Sequence, residues 1–449
     1  MPRVKLTLPA VLAQSRDERE MSMEAETLAE LIEKLSEKRP DLAGKLITNG
    51  QLSRRFNIYI NGKNASFLGG LQAKLSEGDE VTILPAVTGG MGVELSPDEI
   101  ERYSRQIILT EIGLEGQERL KSSKVAVVGL GGLGSPIAMT LTAMGVGHLR
   151  LIDRDVVEKS NLHRQYLYGP GDVGYPKVEV AVERLSRLNP YVEFEAMPLY
   201  VDESTARDIV RGVDVVVDGL DSIAARKAIN KACVEEGVPY VFTSAIQVYG
   251  MASTIIPGET ACLECIFPHL TDDELPTCAV VGVHPAILQF MSGIAVYEAV
   301  SLLVGGQPNL KGKLLMSDLK NLSLSTVDVM RVEECPVCGV GAGERVEKRY
   351  PYVEEICGRE GKATYIVNPG RRLDIPIERL DWKALDPSST IIAGGKLGAT
   401  IKLPGDRKIS ILKTGITVIE GARSSEEALD IYRRITALVE KATAKQATG

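Results

Sequence analysis

No run of about 18 consecutive apolar residues, the length a membrane-crossing helix needs, is expected anywhere in this 449-residue sequence. The opening "MPRVKLTLPAVLAQSRDERE" alternates and turns polar early, so it does not read as a secretory signal, and a cytoplasmic protein is expected. Positive charge is in deficit, with 52 Lys and Arg against 60 Asp and Glu, a net charge of −8, which argues against a nucleic-acid surface. Histidine is scarce: His148, His163, His269 and His284 show no ligand spacing, and only His163, beside Arg164, falls near a motif of interest. Internal repeats and low-complexity tracts are absent. Seven cysteines in a chain of this kind point to metal or thiol chemistry rather than a disulfide framework. The remaining composition, 44% apolar and 25% charged, is that of an ordinary globular chain, and the length suggests about three domains.

Three segments follow, with boundaries expected at 1–92, 93–343 and 344–449. In the first, "RVKLTL" alternates as a strand, and "TLAELIEKLSEK" places Leu28, Leu31, Ile32 and Leu35 at helical spacing behind a Thr27/Glu30 capping box. "FNIYINGK" is a strand entering an Asn-Gly turn, and "GDEVTILPA" is a last strand running into Gly89-Gly90. Strand, strand, helix, strand, strand suggests a β-grasp fold. The segment resembles the MoaD and ThiS sulfur carriers, most closely MoaD, through "INGKNASFLGGL" and the glycine ending "LSEGDEVTILPAVTGG".

The second segment opens with Ser96 as an N-cap, Pro97 at the first helical position and Glu99 completing a capping box. Arg102, Arg105 and Gln106 are then expected on one helical face. Next, "KVAVVGLGGLGSPIAMTLTAMGVGHLRLIDRD" reads as strand, glycine-rich turn, helix and a second strand, with Gly129, Gly131, Gly132 and Gly134 in the turn and Asp153 at the end. This is a βαβ nucleotide-binding unit. Taken alone it suits NAD, and an NAD dehydrogenase is the first rival. The turn itself is less selective, because glycines, a helix N-terminus and an acid for ribose suit ATP equally. Asn161, Arg164 and Gln165 follow the second strand, and Lys177 falls in the first turn of a helix. Two cations and two amides near the phosphates are in excess for hydride transfer and suit a reaction at phosphorus, where negative charge builds up. A buried strand then ends in Asp218, with Asp221 beyond it, and a carboxylate there is placed to hold Mg²⁺.

Two CxxC pairs, Cys262/Cys265 and Cys335/Cys338, make a tetrahedral structural Zn²⁺ site the leading reading over a redox pair. Cys278 lies on a polar loop before an apolar helix, whose N-terminus would lower its pKa. Cys233 falls in an amphipathic helix and reads as core. Together "RYSRQIIL", "GLGGLGS", "DRDVVEKSNLHRQ", "DGLDS" and the CxxC pairs resemble the MoeB and ThiF adenylating enzymes of the ubiquitin-activating superfamily, over about residues 96–340.

That resemblance implies ATP-dependent adenylation of a carrier's C-terminal Gly-Gly carboxylate, leading to a thiocarboxylate for molybdopterin, thiamine, tRNA thiolation or protein tagging. It implies a homodimer in which Arg105 serves the partner's site, Arg164 and Lys177 as the phosphate-stabilising pair, Asp153 on ribose, Asn161 and Gln165 on phosphates, and Asp221 on magnesium. Cys278 matches a cysteine of sulfur or acyl transfer. Where the family usually has Asn after the magnesium acid, this chain has Ser222. The expected architecture is α/β: a β-grasp domain, a Rossmann-like adenylation domain with structural zinc, and a small C-terminal α/β domain. The carrier is the chain's own first domain, released by a protease cutting after Gly90, or a free homologue. No rhodanese-like cysteine loop follows, so a cysteine desulfurase or similar donor supplies sulfur. The alternative is an uncut, autoinhibited scaffold whose β-grasp domain occupies the activation surface.

Overall fold

Hydrophobic alternation and turn chemistry lay out, among the described residues, three large sheets in order along the chain and one two-stranded sheet. The computed structural model describes residues 1–8, 19–39, 46–48, 51–52, 56–85, 94–272, 281–340, 351–359 and 362–447. Gly89, Gly90 and Cys278 lie outside the described residues. By internal contacts the chain forms two compact units, Met1–Ser122 with Leu303–Gly306, and Ser123–Leu302 with Gln307–Gly449.

In the first unit, β1 (Arg3–Thr7) points Val4 and Leu6 inward and Arg3 and Lys5 outward, as its alternating sequence requires. It pairs antiparallel with β2 (Glu20–Glu24). Two short strands, β3 (Ile47–Thr48) and β4 (Gln51–Leu52), pair with each other. β5 (Phe56–Ile60) turns into β6 (Lys63–Asn64) through Asn61 and Gly62, at φ of 50° and 78°. Two positive φ values make the tight hairpin turn that Asn-Gly favours. β7 (Glu80–Pro85) runs parallel to β1 and antiparallel to β5, which gives the mixed order β2-β1-β7-β5-β6 of a β-grasp sheet.

Helix α1 (Leu28–Lys38) covers that sheet with Leu28, Leu31, Ile32 and Leu35. Thr27 Oγ1 accepts from the Glu30 amide at 3.3 Å, but Glu30 Oε2 accepts from Glu26 N, so the return arm of the expected capping box lands one residue earlier. Past residue 94 come α2 (Pro97–Arg102), α3 (Ser104–Ile107) and α4 (Gly113–Ser122). Both arms of the Ser96/Glu99 capping box are present. The expected single helical face of Arg102, Arg105 and Gln106 does not form, because the chain breaks at Tyr103 (φ −95°, ψ 9°). Tyr103 is buried there with Leu95 and Ile107, and Leu84 of β7 packs against the same cluster.

The second unit holds an eight-stranded sheet in the order β10-β9-β8-β11-β12-β13-β14-β15. β8 (Lys124–Val128), β9 (His148–Ile152), β10 (Glu193–Met197), β11 (Val215–Asp218) and β12 (Tyr240–Ile246) are parallel to their neighbours. β13 (Tyr249–Ile255), β14 (Lys313–Asp318) and β15 (Ser323–Asp328) continue it antiparallel. The crossovers carry α5 (Gly134–Met144), α6 (Lys177–Leu188), α7 (Ala206–Val210) and α8 (Ile223–Glu236). One helix, α10 (Pro285–Leu303), is long and apolar enough by composition to cross a membrane, which corrects the expectation of no such stretch. Half of its apolar window is buried within the fold, and its Glu298 is enclosed, accepting from Thr254 Oγ1 at 2.6 Å and from the amides of Asn309 and Leu310.

A third, fully antiparallel sheet follows: β16 (Tyr352–Arg359), β17 (Lys362–Asn368), β18 (Thr390–Gly394), β19 (Gly398–Leu403), β20 (Arg407–Leu412) and β21 (Thr417–Glu420), ordered β16-β17-β21-β20-β19-β18. Its last helix, α11 (Ser425–Ala447), buries Ala428, Ile431, Tyr432 and Ile435, with Leu438 and Val439 beside them. Between α8 and α10, the short helix α9 (Leu263–Ile266) begins immediately after Cys262.

Glu99 is 2% exposed and paired with Lys121 at 2.7 Å. Burial works to raise its carboxyl, but hydrogen bonds from Lys121 and Ser96 outweigh it and hold the group below the ordinary carboxylate value. Its contribution to stability is therefore full above the unfolded carboxylate pKa and is lost as pH falls through and below it. Removing the cation by Lys121→Met leaves a buried, unpaired carboxylate and is expected to cost about 3 kcal/mol at neutral pH. Urea titrations from pH 7 to pH 3 should show the gap to wild type closing below about pH 4; a pH-independent gap would contradict this assignment.

Candidate active site

The parallel strands run to a crevice between β8 and β11, where the strand order diverges to β9 and β10 on one side and β12 on the other. Such a switch point is where open α/β sheets bind ligands. Gly129 leaves β8 at φ 87°, with its amide donating to Ile152 O at 2.8 Å. A Cβ on Gly219 would lie 2.6 Å from Gly129 O and 2.7 Å from Gly134 Cα, and a Cβ on Gly134 would run into the Gly129 carbonyl. The loop therefore closes only because three glycines bring bare backbones together. Gly132 is held against Leu288, whereas Gly131 has only Gln165 Nε2 within reach, 3.7 Å from where its Cβ would be. The loop opens on that side, at the N-terminus of α5, where free amides favour an anion.

Asp153, at the end of β9, is buried and accepts from the amides of Leu130 and Asp155, both at 2.7 Å. Lys177 is the first residue of α6 and only 5% exposed; its Nζ is 3.2 Å from Asp155 Oδ2 and 4.0 Å from Asp153 Oδ2. Burial pushes the Asp153 carboxyl up, opposed by Lys177. Against burial, the two carboxylates hold the Lys177 ammonium above its ordinary value, so it stays charged. Gln165 is buried, and its Oε1 has no partner among the described residues. Asn161 is buried and accepts from Glu158 N through Oδ1. Arg164 is half-buried and donates to Ser160 O at 2.8 Å, with exposed His163 beside it. Asp221 is exposed, and its charge acts on Arg154, Lys177 and Arg226. Gly129, Gly131, Gly132, Gly134, Asp153, Asn161, Arg164, Gln165, Lys177 and Asp221 all belong to the second unit; Arg105, exposed on α3, belongs to the first.

Asp218 is not available to a cation. It is fully enclosed, 2.9 Å from Arg226 Nε and 2.7 Å from Tyr240 OH, and accepts from Leu220 N. Ser222 caps α8, accepting from Ala225 N at 3.1 Å, and Asp272 accepts from the amides of Ile223 and Ala224. That double cap shows what Ser does where the family has Asn. Three residues of the crevice were missed from sequence. Asp155 was legible in principle from D-x-D spacing in an extended segment. Tyr168, which donates to Leu130 O at 3.0 Å, and Arg154 carry no local signal.

Away from the crevice, the Sγ atoms of Cys262, Cys265, Cys335 and Cys338 lie within 4.8 Å of one another. Individual separations are 3.6 Å for Cys262–Cys335, 3.4 Å for Cys265–Cys338 and 3.9 Å for Cys262–Cys265. A tetrahedron with metal–sulfur bonds of about 2.3 Å has sulfurs about 3.8 Å apart, so the cluster is of the right size to hold a metal ion. Asn230 Oδ1 accepts from Leu263 N at 2.9 Å and fixes the first knuckle. Cys233 is buried core, as its helix pattern suggests, and burial pushes its thiol far up.

A model of the ThiF family matches residues 103–337, and a model of the ThiS family matches residues 6–90. The chain is 40% identical over 265 residues to the SAMP-activating enzyme E1 of Haloferax volcanii, covering 59% of this chain and 97% of that protein. It is 40% identical over 267 residues to the sulfur carrier protein adenylyltransferase of Thermus thermophilus, covering 58% and 97%. It is 36% identical over 321 residues to the adenylyltransferase and sulfurtransferase MOCS3 of Sus scrofa, covering 70% and 69%.

The glycine contact makes a sharp prediction. Gly219→Ala forces two backbones apart and should cost about 1–3 kcal/mol. A lowered melting temperature together with weakened nucleotide binding is expected. A melting curve unchanged from wild type would show that the loop closes without the contact.

Proposed function

The chain belongs to the ThiF family, and on that premise we propose that it is an adenylyltransferase for a ubiquitin-like sulfur carrier of the kind its own N-terminal ThiS domain represents. The observation that carries this reading is the buried Lys177 ammonium, held charged by Asp153 and Asp155. It lies in the same fold as a glycine loop open towards Gln165 Nε2, and the Oε1 of that side chain has no partner among the described residues. The relatives' names, a sulfur carrier protein adenylyltransferase and a SAMP-activating enzyme, support the same reaction class.

ATP is the substrate that these groups suit. Asp153 would accept from ribose hydroxyls, while the Gly129–Gly134 loop, Asn161 and Gln165 would donate to phosphate oxygens. The carrier's terminal glycine carboxylate attacks the α-phosphorus, the bond to the bridging oxygen breaks, and pyrophosphate leaves an acyl-adenylate. Lys177 and Arg164 oppose the charge that builds on phosphate oxygens in that step. Asp221 would hold the Mg²⁺ that neutralises the leaving pyrophosphate. Arg105 would act on a dimer partner's site. Sulfide then displaces AMP and leaves a thiocarboxylate directly; a persulfide delivered by a cysteine desulfurase, or carried on Cys278, would displace AMP to give an acyl disulfide, whose S–S bond a second thiol reduces to release the thiocarboxylate. The fused carrier serves once a protease cuts after Gly90, and the protein works in the cytoplasm. The four cysteines would hold Zn²⁺ in a structural role. Nothing among the described residues favours an autoinhibited scaffold.

With a separate carrier ending in a free Gly-Gly, ATP–pyrophosphate exchange should depend on that carrier. Lys177→Ala should lower its rate by about 100-fold or more. Exchange that ignores the carrier, or is absent from wild type, would refute the assignment. Elemental analysis of the purified protein should find about one zinc ion per chain. Cys335→Ser should lose the metal and melt earlier while keeping its nucleotide affinity when folded; a metal-free but equally stable wild type would overturn the zinc assignment.

A further inference from the structure

The strip that carries the nucleotide-site charges is gripped from outside by the C-terminal sheet. Residues 153–157 run antiparallel to residues 174–177: Val156 bridges Pro176, Val157 N donates to Tyr175 O, and Lys177 N donates to Asp155 O. One edge of this strip presents Asp153 and Asp155, and the other presents Lys177. Three contacts hold it to the domain that begins with β16. Thr400 Oγ1 on β19 donates to Gly174 O at 2.7 Å. Glu179, in the first turn of α6, accepts from the amides of Lys396 and Leu397, at 2.8 and 2.9 Å, in the turn between β18 and β19. Glu354 Oε2 on β16 accepts from Arg154 Nη1 at 2.7 Å.

Arg154 stands between the two acids of the strip. Its guanidinium lies over the Tyr200 ring, 4.8 Å from the centroid, and the Tyr200 hydroxyl donates to the same Glu354 oxygen at 2.9 Å. Tyr200 is itself anchored among Ile366, Leu412, Ile416 and Val418 of the C-terminal sheet. Arg154 and Glu354 are both about three-quarters buried, with 22% and 25% of their side-chain surface exposed. In an extended segment alternate side chains point to opposite faces, so Arg154 reaches Glu354 while Asp153 and Asp155 on either side of it reach Lys177. A guanidinium pinned by one carboxylate and one aromatic face therefore fixes the backbone that carries the two acids.

We propose that Arg154 and Glu354, the latter from the C-terminal domain, are positioning residues that set Asp153 and Asp155 in the nucleotide site. The C-terminal domain is then a buttress of the nucleotide site rather than an independent module. The inference rests on the adenylyltransferase reading for its substrate, ATP.

The test uses the full chain and measures ATP affinity directly, without carrier, alongside carrier-dependent exchange. Arg154→Ala is expected to weaken ATP binding about tenfold by loosening the strip that positions Asp153 and Asp155, with Arg154→Lys recovering part of the loss. Glu354→Gln should weaken binding severalfold, and the double variant should be no worse than Arg154→Ala alone. In exchange assays the change should fall on KM for ATP, with kcat within about twofold of wild type. Unaltered ATP affinity in folded Arg154→Ala, or single effects that multiply in the double variant, would overturn the inference while leaving the adenylation reading intact. Wild type that binds ATP, with the expected variant losses, but shows no carrier-dependent exchange would refute the adenylation reading alone. Wild type that binds no ATP would refute both.

Discussion

Two backbones meet at the end of the parallel sheet with no room for a side chain between them. Gly219, just past β11, sits against Gly129 and Gly134 so closely that a single Cβ on either side would collide with a carbonyl or an α-carbon. This contact sets the position of the glycine loop, and the loop sets where α5 begins. The anion-attracting helix end, the open side at Gly131 and the amide of Leu130 that donates to Asp153 all follow from it. Glycine weakens an ordinary strand or helix through lost entropy; here that cost is accepted because no other residue lets the crevice close.

Around that contact the chain keeps its buried charges in two separate groups. Asp218, Arg226 and Tyr240 form a closed network under the crevice, with every carboxylate oxygen engaged. Asp153, Asp155 and Lys177 form an open one, in which a charged ammonium is paired but Gln165 beside the loop keeps an unpartnered oxygen. A closed network stiffens the floor, since removing one member strands a buried charge. An open network is what a ligand completes. Both lie at the ends of parallel strands, and hydrogen-bond satisfaction alone separates scaffold from candidate site.

The cysteine cluster and the C-terminal sheet each tie distant stretches of the chain to this core. Cys262 and Cys335, 73 residues apart in sequence, come within 3.6 Å, tying the middle of α8 to the segment beyond β15 through Asn230 and α9. Likewise, Glu354 reaches Arg154 across 200 residues of sequence, and Glu179 caps the turn between β18 and β19. The strip bearing Asp153 and Lys177 is thereby held by residues far along the chain.

Much of this was legible in the residues. Alternation in "RVKLTL", the Asn61-Gly62 turn, the Ser96/Glu99 capping box and the glycine loop are local, and local sterics and hydrogen bonding determine them wherever they occur. Lys177 at a helix start and the paired CxxC spacing were legible for the same reason. The break at Tyr103 was not, because burial of Tyr103 with Leu95 and Ile107 outweighs one more turn of exposed helix. Nor was the role of Asp218, since a strand-end acid looks the same whether Arg226 and Tyr240 close over it or a cation does. Sequence by itself determined the elements, their order and the chemistry carried at each turn, because those depend on neighbours a few residues away. Tertiary structure alone decided which buried charges are spent on the fold and which stay open. It also decided that Arg154 belongs with Glu354, because desolvation and pairing depend on groups that only folding brings together.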